Sequence, residues 1–435
     1  MIINFSVQNF GSIKTKQTLT FEASSSTDLE HYYILEPIEG LRLLKLGLIY
    51  GANASGKTTL LKALDFLRNI VLFPANKKTD KFDYNPFLFD NETPHQSALF
   101  SIDFVQNKIR YVYEVELKKH AVVREELYYH KPNRANVFKR TTDIKKQLTE
   151  IDFGSKIKKD KTVEKILEAN TLWNNTVLGG FLKTNIELFE LKEATDWFSN
   201  YLKPLVLTGT ELYKTVTQGI DNGEINKKTI IESLKKADFN ISDIVINRDE
   251  ALIPEAFYEA AVKYGDTINS TSAIIKNNGK LISLNLEFEH TINYAKYILP
   301  FELESHGTQR YYGFAGLLSQ LINESILFPI DELESSLHPD LYVHFILTYL
   351  TNVKNSQLIA TTHNREILNN RDIFRNDVIW FTDKNEKNAT ELYSLTDFDS
   401  KIIRDTSNVY NAYKTGKLGG APHLGDYYIN INDAG

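Results

Sequence analysis

The chain contains no cysteine. That absence excludes disulfides and thiolate-bound metals, and it suits a reducing cytoplasmic location. No apolar run approaches the roughly 20 residues needed to span a bilayer, so no membrane association is expected. The opening Met1-Ile2-Ile3-Asn4-Phe5 lacks a basic segment and a long apolar core, and does not read as a signal peptide. Strong charge of either sign is missing too. The formal net charge of −6 over 435 residues gives no global nucleic-acid signal. What is present, 42% apolar and 24% charged residues, is ordinary for a globular protein, and the length calls for two or three lobes.

One stretch organises the rest. Gly51-Ala52-Asn53-Ala54-Ser55-Gly56-Lys57-Thr58, followed by Thr59, fits the phosphate-binding loop pattern G-x-x-x-x-G-K-[ST]. The run Leu43–Tyr50 before it reads as one buried strand, and Leu60–Leu67 after it has apolar residues at helical spacing. Gly51 and Gly56 let backbone N–H groups face inward as an anion-binding nest at a helix N-terminus. Lys57 adds a positive charge for the β- and γ-phosphates of ATP, and the Thr58 hydroxyl can ligate Mg²⁺. A plain glycine turn is the alternative, against which the complete match and its flanks weigh.

Taken in order, residues 1–23 alternate as a β-hairpin bending at Gly11-Ser12, and residues 72–95 read as loop. Ser97–Val105, Ile109–Leu117 and Val122–Tyr129 form a β-meander. Composition shifts at about 131. Between Lys131 and Lys165, 11 Lys/Arg stand against 5 Asp/Glu, against a balance of −12 elsewhere. This is either a nucleic-acid face or a solvated surface, and the scarcity of aromatics favours the latter. Residues 160–236 read as mainly helical, with Trp173, Trp197 and Phe198 as core of an insert. Strands are expected at Asp243–Asn247, Thr271–Ile275 and Ile282–Phe288, then a helix at Tyr311–Leu321. An apolar strand ends in Asp331-Glu332, with Pro329 inside it although proline removes a ladder donor. Next come a helix at Pro339–Leu350, a short strand ending in Thr361-Thr362-His363, a hairpin (Val378–Thr382, Glu391–Leu395) and a glycine-rich end.

An apolar strand closing on Asp331-Glu332 is the Walker B pattern. Asp331 would hold Mg²⁺ through its water shell, and Glu332 would act as general base on the attacking water. Together with the phosphate loop, Ser305-x-Gly307, Asp331 to Pro339 and Thr361-Thr362-His363-Asn364, the chain resembles an ABC-type ATPase head of the SMC/RecF class. More narrowly, it resembles the stand-alone prokaryotic defence ATPases of the "AAA-fifteen" or RloA-like group. Four features carry this: the segment Phe5–Ser12, the signature Glu304–Arg310, the D-loop Leu337-His338-Pro339, and Tyr413-x-x-Gly416-x-x-Gly419-Gly420-x-Pro422.

The resemblance implies an α/β fold: a split ABC-ATPase head with a P-loop sheet and a β-meander subdomain, interrupted by a mainly helical insert. The expected parts are an N-terminal lobe (1–130), a basic helical insert (131–240) and a C-terminal lobe (241–435). It further implies that Ser305 and Gly307 present a hydroxyl and an N–H to the γ-phosphate held by a second subunit. His363 would contact the γ-phosphate, and Ser336 to Pro339 would line the seam of a head-to-head dimer or larger assembly. The cofactors would be ATP and Mg²⁺. Where the family often has a basic residue after Asn-Phe this chain has Gly11, so Lys14 or Lys16 would have to serve. Gln96 is the candidate Q-loop glutamine. No long coiled coil is present, so a chromosome-organising protein is not expected. The function implied is a regulatory ATPase of an antiphage system, controlling a separately encoded effector such as a TOPRIM-like or other nuclease or toxin. The TOPRIM chemistry is not in this chain, because Asp397-x-Asp399 lacks its surrounding fold. The competing readings are a DNA-repair ATPase that clamps duplex DNA through the basic segment, and a scaffold that binds ATP structurally.

Overall fold

A computed structural model describes residues 1–159, 161–251, 272–277, 280–369, 372–398 and 409–421. Thr271, Asp399, Pro422 and the residues after it lie outside the described residues. The chain forms two compact units: residues 1–206, 326–333 and 357–435 make the first, and residues 207–325 and 334–356 the second. These units do not follow the expected boundaries at 130 and 240.

In the first unit, seven antiparallel strands form a meander sheet, in spatial order Leu148–Phe153, Arg134–Asp143, Ala121–His130, Ile109–Lys118, Ala98–Gln106, Ile2–Gln8 and Gln17–Thr20. Ile109–Lys118 shows why. Every second residue from Ile109 to Leu117 is buried, the period-2 pattern of a strand with one face on a core. The meander therefore runs past 130 into the segment expected to be helical. Trp197 and Phe198 are fully buried, but against this sheet: Trp197 stacks on Phe104 at 4.4 Å, and Phe198 meets Tyr113 edge-on at 5.6 Å.

The second sheet of this unit is mainly parallel, in the order Leu327–Ile330, Gln357–Thr361, Leu46–Gly51, Ile379–Lys384, with Thr390–Ser394 antiparallel at the far edge. The expected single strand Leu43–Tyr50 is divided. Leu41–Leu44 pairs with Ile34–Ile38, the chain breaks at Lys45, and Leu46–Gly51 enters the parallel sheet. The position of Pro329 is also explained: its strand is the last of the five-stranded sheet, and on its outer side only the isolated bridges Leu202–Leu327 and Val206–Ile330 flank the proline, so no continuous ladder runs there. Its carbonyl accepts the Val206 N–H at 2.9 Å. Gln357, fully buried, ties this sheet to the first strand. Its amide bonds Ile2 N–H at 2.7 Å, Ile2 O at 3.1 Å and Leu44 O at 3.0 Å. Helix Lys57–Leu72 buries Leu60, Leu64, Leu67 and Val71 at helical spacing, and Phe66 packs on Phe100 of the meander at 5.4 Å.

In the second unit, strands Asp243–Ala251, Ala273–Asn277 and Ala295–Pro300 all pair with the long strand Lys280–Ile292. Helices Leu212–Asp221, Lys227–Lys236 and His306–Asn323 pack with this sheet around Val216, Ile230, Leu234, Phe288 and Tyr312. Helix Pro339–Asn352 joins them through Phe345 on Phe314 at 5.5 Å.

Candidate active site

Strand Leu46–Gly51 is buried along its whole length because parallel neighbours flank it on both sides. At its C-terminal end, where parallel sheets place ligands, the chain turns through residues 52–56 into helix Lys57–Leu72. The turn needs its glycines. Gly56 caps the helix at φ 114°, and a Cβ there would stand 2.2 Å from Thr390 Oγ1. A Cβ on Gly51 would stand 2.4 Å from Thr382 Oγ1. Hydroxyls brace the loop. Ser55 Oγ bonds Thr382 Oγ1 at 2.6 Å, and Thr390 Oγ1 donates to Ser55 O at 2.7 Å. Ser12 Oγ reaches Thr390 Oγ1 at 2.8 Å and Thr59 Oγ1 at 3.2 Å. Asn53 and Ala54 face solvent, with Ala54 at φ 62°. The buried Lys57 ammonium donates to Gly51 O at 2.9 Å and Ala52 O at 3.0 Å.

The Walker B carboxylate meets this loop. Asp331, 6% exposed, accepts the Thr58 hydroxyl at 3.0 Å on each oxygen and the Thr361 hydroxyl at 2.6 Å. Thr361 Oγ1 in turn accepts the Glu332 N–H at 2.8 Å. Glu332 is half-buried and sits at φ 49°, a left-handed conformation costing roughly 1–3 kcal/mol that persists where surroundings over-determine it. The Thr361 contacts supply that determination. His363 follows at once, half-buried, with the preceding Thr362 N–H bonded to Ile49 O at 3.0 Å. The strand ends thus bring Lys57, Thr58, Asp331, Glu332 and His363 into one unit from distant parts of the chain.

Ser305 and Gly307 belong to the second unit. Ser305 caps helix His306–Asn323, its Oγ accepting the Thr308 N–H at 3.1 Å, and it is exposed. The helix carries no acidic residue in its first turn, so its positive end is uncompensated there. Gly307 lies against the D-loop of the same unit: a Cβ on it would stand 3.3 Å from Ser336 O. His338 caps Pro339–Asn352 and is exposed.

Some expectations change. Lys14 is ion-paired with Asp90, and the two line a polar cavity of about 530 Å³ together with Lys16 and Gln96. Gln96 O accepts the Asn9 side-chain amide at 3.0 Å, and its own side chain is exposed. In the basic segment, Arg140 is fully buried and bonds the carbonyls of Val122 and Trp173, Lys146 pairs with Asp143, and Lys159 pairs with Glu164. Three of its eleven basic residues are therefore engaged within the protein. Sequence reasoning gave no role to Ser12, Thr361, Thr382 or Thr390. A signal was available for Thr361, a polar residue directly after the apolar run Leu358-Ile359-Ala360 of a buried strand.

A family profile described as "AAA domain, putative AbiEii toxin, Type IV TA system" matches residues 48–369. None of the curated proteins compared matches the chain. Among solved structures, an SMC head bound to the C-winged helix domain of ScpA is 13% identical, over 93% of this chain and 99% of that one, at a TM-score of 0.45. The SMC head domain from Thermotoga maritima is 13% identical, over 90% and 98%, at 0.41. An SMC head with an extended coiled coil, bound to the C-terminal domain of ScpA derived from Pyrococcus furiosus, is 13% identical, over 93% and 99%, at 0.41. With the family profile covering residues 48–369, the chain belongs to this AAA-domain family.

Proposed function

We propose that this chain binds and hydrolyses ATP as the regulatory subunit of a bacterial antiphage system in the cytoplasm, and that head-to-head pairing on ATP controls a separate effector. The observation that carries the hydrolytic reading is the cluster at the end of the parallel sheet, where Thr58, Asp331 and Thr361 share hydrogen bonds beside the glycine loop. Lys57 would neutralise the β- and γ-phosphates, and loop N–H groups would hold their oxygens. The Thr58 hydroxyl and Asp331 carboxylate are hard oxygen donors of the kind Mg²⁺ takes, and would hold it. Two such protein donors are the usual number for Mg²⁺, which draws its other ligands from water and nucleotide phosphates. The ion would neutralise charge developing on the transferred phosphoryl group. Glu332 would take the proton of the attacking water, and His363 would contact the γ-phosphate. Ser305 and Gly307 would act on the ATP of a second copy, which makes one protomer incomplete by itself.

The family's description, which names a toxin and a type IV TA system, supports the defence reading. No described helix is long and apolar enough to cross a membrane. The DNA-clamp reading is weakened by the burial of Arg140 and the internal pairs of the basic segment.

The test couples chemistry to assembly. Glu332→Gln should lower ATP turnover by about 10²–10⁴-fold while sizing shows an ATP-stabilised dimer or larger assembly. Unchanged turnover removes Glu332 as base. Phage protection in cells carrying Lys57→Ala should be lost, and protection that persists removes ATP from the defence mechanism.

A further inference from the structure

The tail motif Tyr413-x-x-Gly416-x-x-Gly419-Gly420 has no part in the chemistry above, yet it reaches the phosphate loop. Helix Val409–Lys414 presents Tyr413, 2% exposed, to the end of strand Leu46–Gly51. Its ring stacks on Phe381 at 5.4 Å and meets Tyr50, the residue before Gly51, edge-on at 5.9 Å. Its hydroxyl donates to Gly420 O at 3.0 Å. Gly420 N–H then donates to Asp383 Oδ2 at 2.9 Å.

The glycine pair is needed for this close approach. Gly419 and Gly420 both sit at φ 63°. A Cβ on Gly420 would stand 3.2 Å from Thr382 O and 3.5 Å from Gly51 Cα, and one on Gly419 would stand 2.2 Å from the Tyr393 hydroxyl. Gly51 thus has its carbonyl held by the Lys57 ammonium and its Cα packed close against Gly420 of the tail. The same ring lies under the Arg365 guanidinium at 5.3 Å, two residues beyond His363. A phenylalanine would fill this space equally well. Only a tyrosine also donates to the Gly420 carbonyl.

We infer that residues 409–421 form a strap that fixes the start of the phosphate loop, with Tyr413 as a positioning residue for ATP binding; this rests on the ATP reading above. The strap acts through Gly51 and Ala52, whose carbonyls hold Lys57, and not by touching the reacting atoms. By linkage, a nucleotide that binds the positioned loop must also stabilise the strap.

The experiment is calorimetric titration of the full-length protein with ATP and Mg²⁺, for wild type, Tyr413→Phe, Gly420→Ala and Lys57→Ala, together with steady-state kinetics. Loss of the Tyr413–Gly420 hydrogen bond that holds the strap should raise the Kd for ATP about three- to tenfold in Tyr413→Phe, with the loss falling on KM more than on kcat. Gly420→Ala strains the strap without altering the ring, and should move Kd in the same direction. In wild type, ATP should slow amide exchange across residues 409–421, and Tyr413→Phe should weaken that protection. Wild-type affinity in both strap variants, while Lys57→Ala has lost binding, overturns the strap alone. Undiminished ATP binding by Lys57→Ala overturns the ATP reading, and the strap with it.

Discussion

Thr361→Val is the sharpest probe of the proposed chemistry, because it changes a hydroxyl for a methyl at nearly constant volume. Thr361 is fully buried and makes two contacts at the site: its hydroxyl donates to Asp331 at 2.6 Å and accepts the Glu332 N–H at 2.8 Å. A hydrogen bond to a charged group is worth about 1.5–3 kcal/mol. If that loss falls on the transition state, at 1.36 kcal/mol per decade, kcat drops about 10- to 150-fold. The freed Glu332 N–H adds a smaller cost, because Glu332 is half-buried and water can reach part of it. ATP affinity should hold within about threefold, because the Lys57 and Ser55 contacts that shape the loop do not involve Thr361. The assay is phosphate release at saturating ATP, alongside calorimetric Kd and thermal unfolding. Thr361→Ser keeps the hydroxyl and should retain most of the activity. A folded Thr361→Val protein with kcat within twofold of wild type would refute the claim that Thr361 sets the Walker B geometry.

Three further outcomes are expected. Gly56→Ala should abolish measurable ATP binding in a fluorescent-nucleotide titration, since its Cβ would collide with Thr390 at 2.2 Å from a φ of 114°. Arg140→Met should cost about 1–3 kcal/mol in denaturant unfolding, by leaving the carbonyls of Val122 and Trp173 without the donors of the buried guanidinium, and should leave DNA affinity unchanged. For Asp377, burial pushes the carboxyl up, but hydrogen bonds from Arg375 and Ser24 and the Arg375 charge outweigh it, so the net shift is downward. Its stabilisation is therefore present above the unfolded pKa of about 3.9 and lost as pH falls below it. Arg375→Ala should lower Tm at neutral pH and flatten the acid limb of the Tm profile, and an unaltered acid limb would exclude this pair as its source.

The strand, glycine loop and helix over Leu46–Leu72 were legible in the sequence because the loop pattern names Gly51, Gly56, Lys57 and Thr58, and the strand before Asp331-Glu332 was legible as an apolar run closing on two carboxylates. The meander was legible because Ile109–Lys118 alternates strictly. The division at Lys45 was not, since an apolar run with one lysine reads as continuous until its two halves find different sheets. Nor was the reach of the meander beyond 130: the charges of residues 131–165 suggested a surface, whereas Arg140 points inward and bonds carbonyls from two other segments. The contacts of Thr382 and Thr390, and that of Ser12 beyond its place in the Phe5–Ser12 segment, stayed silent because single hydroxyls far apart in the chain give no sign that they meet. They matter only once Leu46–Gly51 has brought their strands together.

The place of Leu46–Gly51 in the middle of its sheet has a consequence for how the molecule is made. Both its flanking strands, Gln357–Thr361 and Ile379–Lys384, come from the last quarter of the chain, and Thr58 waits 273 residues for Asp331. At roughly 5–20 residues per second of synthesis, that interval is about 14–55 s. During it, an apolar strand with two unpaired edges is held on the ribosome, the situation in which a nascent chain most readily pairs with the wrong neighbour. The meander, whose strands are mostly consecutive in sequence, can form early from local contacts, whereas the parallel sheet is assembled almost entirely from distant ones. Until Gln357–Thr361 and Ile379–Lys384 have been made, the growing chain carries the glycine loop without the strands that flank it, so this sheet can close only well after the meander.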